Sequence, residues 1–180
     1  MSQDVYFIDS QVANYQALIR QLGPDDKWFV LDANRDGIRQ MAAILEGLDG
    51  LDAIHVVSHG AQGSVRLGNA VLDSASLSGY AKELAAIGNS LNAAGDVLLY
   101  GCDVAQGGAG QAFIDGLAQL VGADVFASDN LTGNAGLGGD WVLEAGTGTL
   151  EATIFAPRDY QGILVDDYAA STATTGTLAV

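Results

Sequence analysis

Positive charge is scarce in this sequence of 180 residues: seven Lys and Arg stand against 22 Asp and Glu, a formal net charge of −15 at pH 7. A surface with such an excess of negative charge repels phosphate backbones and anionic lipid headgroups. We therefore expect no nucleic-acid partner, whereas a cationic peptide would be attracted.

Long apolar runs are missing as well. No stretch reaches the roughly 18 residues that a membrane span needs, and MSQDVYFIDS at the start has no basic segment followed by an apolar core. We expect neither membrane insertion nor a cleaved amino-terminal signal peptide. The single cysteine, Cys102, cannot form an internal disulfide, so the fold does not depend on an oxidising compartment.

What the sequence does contain is an alternation of short apolar runs with segments of helical period. The runs predict strands over 5–9, 28–32, 53–60, 97–101 and 124–128. The periodic segments predict helices over 12–22, 76 to about 91 and 109–121, and one more after residue 32 with Ile38, Met41, Ala42 and Leu45 on one face. Such alternation is typical of an α/β domain, a three-layer sandwich with a mostly parallel central sheet. The stretch SVRLGNAVLD (64–73) interrupts it and predicts a β-hairpin that turns at Gly68-Asn69.

The carboxyl-terminal quarter has a different pattern. Glycine and aspartate become frequent from Gly133, and the runs at 141–145 and 150–155 predict edge or antiparallel strands. After about residue 165 the residues are small and rich in Thr, with no helical face. We therefore expect a domain over 1–164 and, over 165–180, a linker or the start of a following repeat region.

Two predicted strands end in residues that can carry chemistry. The third ends in Ser58-His59-Gly60 and the fourth in Gly101-Cys102-Asp103. In a parallel sheet the carboxyl ends of strands border a crevice, so neighbouring strands would bring the imidazole and the thiol together. A thiol needs a base because its ordinary pKa near 8.5 leaves it mostly protonated at neutral pH. The N–H groups of Gly60 and Cys102 could then stabilise an oxyanion.

Plainer interpretations exist for both side chains, since a lone cysteine is usually a buried packing residue. The other histidine, His55, lies four residues earlier in the same strand, deeper in the core, and we interpret it as structural.

The stretch DANRDG (32–37) matches the opening of a calcium loop through Asp32, Asn34 and Asp36. The twelfth loop position, however, is Ala43 instead of a bidentate glutamate, and the stretch follows a strand. A strand-to-helix turn capped by Asn34 or Asp36 is favoured over a calcium site. We expect no cofactor, with calcium as the alternative.

No other stretch of the sequence matches a motif of known chemistry. The glycine-rich GNAGLGGD (133–140) lacks the lysine of a phosphate loop and is interpreted as a loop at the rim of a cleft. The sequence contains no GxSxG, HExxH or CxxC, so serine-hydrolase and zinc sites have no motif support.

Taken together, AIHVVSHG, the hairpin VRLGNAVLD and DVLLYGCDVA resemble the caspase-like fold of the clan CD cysteine peptidases, which include caspases, separases, gingipains and bacterial CHAT domains. The resemblance implies a caspase-like topology with a hairpin insertion, a catalytic dyad of His59 and Cys102, and an oxyanion hole made by the backbone of Gly60 and Cys102. More narrowly, residues from about 4 to 164 resemble the bacterial domain of unknown function 4347, found near the amino terminus of giant repeat-containing adhesins.

This resemblance implies a cysteine endopeptidase that acts on a polypeptide, with its own parent chain as a candidate substrate, in a bacterial protein that is secreted or on the cell surface. A substrate pocket for a basic side chain would use Asp129, with Ser128 and Asp124 as rivals, although Asp129 also suits a turn. Arg158 would be a cleavage site for such a pocket, but we favour a surface arginine.

Two other functions remain open from the sequence. The domain could be a catalytically silent amino-terminal cap or interaction module of an adhesin. A flavodoxin-like ligand-binding domain is a third possibility, but the sequence offers no phosphate or flavin site.

Overall fold

The apolar runs of the sequence form strands around two hydrophobic cores in the computed structural model, which describes residues 2–165. The strands are β1 (Asp4–Asp9), β2 (Lys27–Leu31), β3 (Leu51–Val57), β4 (Gly60–Ala61), β5 (Ser64–Leu67), β6 (Ala70–Asp73), β7 (Leu91–Tyr100), β8 (Asp124–Ala127) and β9 (Ala145–Gly146). The α-helices are α1 (Tyr15–Ile19), α2 (Gly37–Leu45), α3 (Ala81–Asn89) and α4 (Gly107–Val121), and short 3-10 helices cover Leu77–Tyr80 and Ala135–Leu137.

Six of the strands make one sheet in the order β2-β1-β3-β7-β8-β9. All its pairs are parallel except that of β8 with β9. The predicted α/β class with a mostly parallel sheet is therefore confirmed. In the centre, β3 lies beside β7 with Val57 opposite Tyr100, so these two strands reach the same edge of the sheet together.

The two faces of the sheet are covered differently. Helices α2, α3 and α4 pack on one face and bury Ile38, Met41, Leu84, Phe113 and Leu117 against it. The other face is covered by the short α1 and by irregular chain that contributes Trp141, Leu143, Phe155, Tyr160 and Leu164. The second outer layer is thus mostly non-helical, which the helical periodicity of the sequence did not indicate.

The predicted hairpin is confirmed: β5 and β6 pair antiparallel from Ser64 opposite Asp73 to Leu67 opposite Ala70. Strand β4 adds to it, so the insertion is a separate three-stranded sheet.

Three predictions of secondary structure are wrong in extent or in kind. The helix predicted over 12–22 is reduced to Tyr15–Ile19, because Asn14 takes a left-handed conformation with φ of 54°. In the carboxyl-terminal quarter only Ala145–Gly146 pairs as a strand, and residues 150–155 pack over the second face without joining a ladder. The predicted helix over 76–91 is divided into a 3-10 turn and α3.

None of the helices within residues 2–165 is both long and apolar enough to span a bilayer. The linker or repeat start predicted for 165–180 lies outside the described residues, apart from Val165.

Candidate functional site

The site lies where β3 and β7 end, because the chain after each strand is held against the other. The N–H of Ser58 donates to the carbonyl of Tyr100 at 3.0 Å and extends the pairing beyond β3. Glycine permits the close approach that follows. A Cβ atom on Gly60 would lie 2.7 Å from the Cys102 carbonyl oxygen, and one on Gly101 would lie 3.1 Å from the Gly60 nitrogen. The prediction that these two strand ends adjoin is confirmed.

The backbone donors predicted for an oxyanion hole point at a single oxygen atom. The N–H groups of Gly60 and Cys102 donate to the carbonyl oxygen of Leu164 at 2.9 and 3.0 Å. Two backbone donors that converge on one carbonyl form the arrangement that stabilises the oxyanion of an acyl-transfer reaction. The oxygen that occupies this position belongs to the chain itself, 62 residues beyond Cys102 by subtraction of their numbers.

His59 is partly buried, and one of its ring nitrogens has a fixed partner. Its Nε2 lies 3.1 Å from the backbone carbonyl of Gln11, an acceptor that requires a proton on Nε2. The other nitrogen, Nδ1, is buried and has no hydrogen-bond partner among residues 2–165. The neutral imidazole therefore presents Nδ1 as its basic atom.

Gln11 is held in place by Asp9, the last residue of β1. One carboxylate oxygen of Asp9 accepts from the backbone N–H of Gln11 at 2.8 Å and from its side-chain amide at 3.1 Å. The other accepts from the N–H of Gly68 in the hairpin at 2.7 Å. Asp9 is fully buried, so this carboxylate fixes the carbonyl that orients His59.

The thiol of Cys102 is fully buried and lies against Thr132. Its Sγ accepts from the Thr132 N–H at 3.2 Å and lies 3.6 Å from the Thr132 carbonyl oxygen. An N–H donor to sulfur favours the thiolate. The Thr132 hydroxyl donates to the carbonyl of Gly101 at 3.0 Å and ties this loop to the end of β7. The next residue, Asp103, is left-handed with φ of 60°, a conformation that non-glycine residues seldom adopt.

Sequence reasoning missed three participants: the carbonyl of Gln11, Thr132 and Leu164. Each acts wholly or partly through its backbone, and a backbone group leaves no mark in a sequence motif. Only the position of Gln11 just after a predicted strand pointed to this edge of the sheet.

The two neighbouring residues predicted for a substrate pocket, Ser128 and Asp129, differ in burial and in hydrogen bonding. Ser128 is buried, and its hydroxyl is hydrogen-bonded to Asn130 and to Glu144 at 3.0 Å. Asp129 is exposed in that turn, and its N–H donates to the same Glu144 carboxylate at 3.1 Å. Burial, followed by the negative charge of Asp129, raises the pKa of Asp103. Asp129 is therefore close enough to act on the residue after the thiol.

The rival Asp124 lies at the opposite edge of the sheet, at the start of β8, paired in register with Asp96. There Asp96, Asp124 and Glu151 form an acidic cluster in which Asp96 accepts from the N–H groups of Glu151 and Ala152 at 2.8 and 2.9 Å. Desolvation, followed by the negative charges of Asp96 and Asp124, raises the pKa of Glu151.

The stretch from Asp32 to Asp36 forms the predicted strand-to-helix turn. Asp36 caps α2 by accepting from the Arg39 N–H at 3.0 Å, and its second oxygen accepts from the Tyr80 hydroxyl at 2.5 Å. That hydrogen bond raises the pKa of Tyr80 to about 12. One oxygen of Asp32 accepts from the Asn34 N–H at 2.9 Å.

His55 is the centre of a buried network, in agreement with the structural interpretation. Its Nε2 lies 2.9 Å from the Asp4 carboxylate and its Nδ1 lies 2.9 Å from the Tyr100 hydroxyl, which also accepts from the Phe155 N–H. The ring stacks on Tyr6 at a centroid distance of 4.2 Å.

The loop predicted as a cleft rim, residues 133–140, pairs with the segment that directly precedes Leu164. The Asn134 N–H donates to the Gly162 carbonyl at 2.8 Å, and Gly133 forms an antiparallel bridge with Ile163. A surface pocket of about 500 Å³ is lined by residues of this loop together with Trp141 and Arg158, and not by His59 or Cys102.

Comparison with known proteins gives one family and little more. The sequence pattern described as "Domain of unknown function (DUF4347)" matches residues 5–164, so the last matched residue is Leu164. No curated protein matches the chain. A solved structure described as a small-chain dehydrogenase is 10% identical, with 67% of this chain and 77% of that chain covered and a TM-score of 0.35.

Proposed function

The chain belongs to the DUF4347 family, and we propose that it is a cysteine endopeptidase in which Cys102 is the nucleophile and His59 the general base. The observation that carries the proposal is the convergence of the Gly60 and Cys102 N–H groups on one carbonyl oxygen. A structural cysteine needs no such pair of donors beside it, whereas an acyl-transfer nucleophile does.

The residues divide the reaction as follows. His59 Nδ1 takes the proton of the Cys102 thiol, and the sulfur bonds to the carbonyl carbon of the substrate. The oxyanion is held by the N–H groups of Gly60 and Cys102. The bond from carbon to the amide nitrogen then breaks, and the proton on Nδ1 passes to the departing amine. Water hydrolyses the thioester, which restores the thiol and leaves a carboxylate on the product.

The surroundings of the dyad support these roles. The Gln11 carbonyl fixes Nε2 as the protonated nitrogen, so Nδ1 remains for the thiol proton. The Thr132 N–H stabilises negative charge on Sγ. Together they provide an oriented base and a donor to the thiolate, which are the parts that a nucleophilic thiol requires.

We assign the domain to a caspase-like topology within the clan CD peptidases. The assignment is supported by three arrangements: a histidine strand and a cysteine strand that are parallel neighbours, a hairpin inserted directly after the histidine, and further strands on both sides. From the same resemblance we propose that the protein is bacterial and works outside the cell or at its surface, on a polypeptide.

The test uses peptides that release a fluorescent coumarin, with each amino acid in turn before the scissile bond. We expect release by the full chain, none by Cys102→Ala, and about 100-fold less by His59→Gln. The control for His59→Gln is Gln62→Ala, a substitution at an exposed neighbour whose amide donates to the Gln106 carbonyl at 3.1 Å. Parallel reactions contain calcium or a chelator, so that an ion requirement is detected. Release by Cys102→Ala equal to that of the unaltered chain would overturn the proposal.

The second candidate is a catalytically silent cap or interaction module of an adhesin. The observation in its favour is the complete burial of Cys102 beneath residues 132 and 164 of the same chain. It predicts no release of coumarin from any peptide, with or without calcium.

A further inference from the structure

The carbonyl in the oxyanion hole belongs to a specific peptide bond, Leu164–Val165, and we propose that this bond is the one that the protein cleaves in itself. The proposal rests on the proposed peptidase function and adds the substrate to it. Four features of the described residues support it.

First, Leu164 has the polar contacts of a substrate residue before a scissile bond. Its carbonyl oxygen receives both oxyanion-hole donors, at 2.9 and 3.0 Å, and its N–H donates to the Thr132 carbonyl at 2.9 Å. Both polar groups of this residue are therefore held by the residues that also surround the thiol. A loop that merely passed over the site would not need its carbonyl at the position where an oxyanion forms.

Second, the chain before Leu164 is bound like an added strand. The Asn134 N–H donates to the Gly162 carbonyl at 2.8 Å, and Gly133 forms an antiparallel bridge with Ile163. Pairing of an extended peptide with an edge is a general way in which a protein binds a polypeptide. Gly133 has φ of 134°, and a Cβ there would lie 2.3 Å from the Gly162 oxygen, so only glycine permits this approach.

Third, the side chain of Leu164 is fully buried in the second apolar cluster, which also contains Val12, Trp141 and Tyr160. Burial of a whole leucine side chain favours binding because it removes apolar surface from water. The cleft thus selects an apolar residue before the scissile bond, which differs from the basic residue that Asp129 was considered to select.

Fourth, the chain continues past Cys102 and Gly60 in the required direction. Val165 forms a parallel bridge with Gly60, so the amide that would depart lies beside the residue that follows His59. The proton taken up by His59 Nδ1 can then pass to the nitrogen of Val165 as the bond breaks. The products are a chain that ends in the Leu164 carboxylate and a peptide that begins with the Val165 amine.

Arg158 does not take this place. It is exposed and lines a surface pocket that neither His59 nor Cys102 lines, so the favoured interpretation as a surface arginine is confirmed. The two possible cut sites are six residues apart by subtraction of their numbers, which mass spectrometry separates easily.

The experiment follows the intact mass of the full chain over time, with Cys102→Ala as the uncut reference. We expect one cut, after Leu164, at a rate that does not change on tenfold dilution because the reaction is intramolecular. Val165→Pro, which removes the departing N–H, should slow the cut more than tenfold. Arg158→Ala should be cut as fast as the unaltered chain.

The outcomes separate the two proposals. If peptides are cleaved but the chain stays intact or is cut at another bond, the self-cleavage proposal fails and the peptidase proposal stands. If neither peptides nor the chain are cleaved, both fail. Cleavage of Leu164–Val165 that persists in Cys102→Ala would show a contaminating peptidase and would also overturn the proposal.

Discussion

Nε2 of His59 lies 3.1 Å from the backbone carbonyl of Gln11, and this contact leaves Nδ1 as the nitrogen that can accept a proton. The acceptor is itself fixed by Asp9, whose carboxylate binds both N–H groups of Gln11. Orientation of the proposed base is thus determined from the end of β1, one strand away from the histidine.

Asp9→Asn tests this relationship. Replacement of one carboxylate oxygen by an NH₂ group removes an acceptor from Gln11 or Gly68, so the Gln11 carbonyl loses its fixed position. We expect coumarin release to fall about 10- to 100-fold, because misplacement of a catalytic group by about 1 Å has effects of that size. If Asp9 had a purely structural role, the substitution would lower thermal stability but leave the pH profile of the remaining activity unchanged. We expect that profile to change.

Gly60→Ala should disable the oxyanion hole. The added Cβ would lie 2.6 Å from Val104 Cγ2 and 2.7 Å from the Cys102 carbonyl oxygen, so the Gly60 N–H must move. Loss of one oxyanion donor lowers kcat by about 100- to 1,000-fold. The matched control is Gly108→Ala in α4, where an added Cβ meets nothing within 4 Å. Equal activity in the two variants would argue against the assigned donors.

Gly133→Ala should separate the two roles of the Leu164 segment. The added Cβ lies 2.3 Å from the Gly162 oxygen and pushes the segment out of its pairing. We expect slower cleavage after Leu164 and faster alkylation of Cys102, whose side chain is otherwise fully covered. The control, Gly47→Ala, has open space around its added Cβ and should change neither rate. Unchanged alkylation in Gly133→Ala would mean that the segment does not cover the thiol.

Replacement of His55 should lower the free energy of unfolding more than replacement of His59. His55→Gln breaks a buried network with Asp4 and Tyr100, and we expect a loss of about 2–4 kcal/mol in the free energy of unfolding. His59→Gln replaces a partly exposed side chain and should change stability by about 0.5 kcal/mol or less. Urea denaturation measures both values. The reverse order would contradict the assignment of His55 to structure and His59 to chemistry.

Asp129→Asn should lower the pKa of Asp103. Burial is the first cause of the raised pKa and the charge of Asp129 the second, so the substitution removes the second cause only. A raised pKa means that the folded chain holds this proton more tightly than the unfolded chain. The contribution of Asp103 to stability is therefore lost as pH rises from about 3.9, the ordinary Asp value, through the folded value.

Carboxyl carbon NMR measures this titration for Asp103 directly. In Asp129→Asn we expect a lower midpoint and a smaller loss of stability over that pH range. The exposed Asp49, replaced in the same way, is the control and should leave the midpoint unchanged. An identical Asp103 midpoint in all three proteins would show that Asp129 is too distant to act on the site.

Much of this arrangement could be predicted from the sequence, because buried strands appear in it as short apolar runs and the order of these runs indicates which strands are neighbours. The runs at 53–60 and 97–101 predict strands, and the structure pairs them as parallel neighbours whose ends bring the backbone of Gly60 against that of Gly101 and Cys102. Gly60 and Gly101 could also be interpreted, since a glycine directly after a buried strand indicates a close approach of backbones.

Other parts could not be predicted, because the spacing of apolar residues indicates which side chains are buried but not which strand the backbone pairs with. Leu150, Ala152 and Ile154 alternate like a strand and are partly buried in the second cluster, yet their backbone joins no ladder. Instead, Asp96 accepts the N–H groups of Glu151 and Ala152, which satisfies backbone that a strand would otherwise pair. The contacts of Gln11 and Leu164 with the site are likewise backbone contacts.

The account depends most directly on whether His59 activates Cys102. The measurement is the alkylation rate of this single thiol by iodoacetamide in the unaltered chain and in His59→Gln, at pH 7 and at pH 10. Only uncut chain, identified by its intact mass, is compared, so coverage of the thiol by the Leu164 segment is the same in both proteins and their ratio reports activation alone. We predict that the unaltered chain reacts at least tenfold faster at pH 7 and that the rates converge at pH 10, since an unassisted thiol ionises near pH 8.5. Equal rates at both pH values would contradict the peptidase.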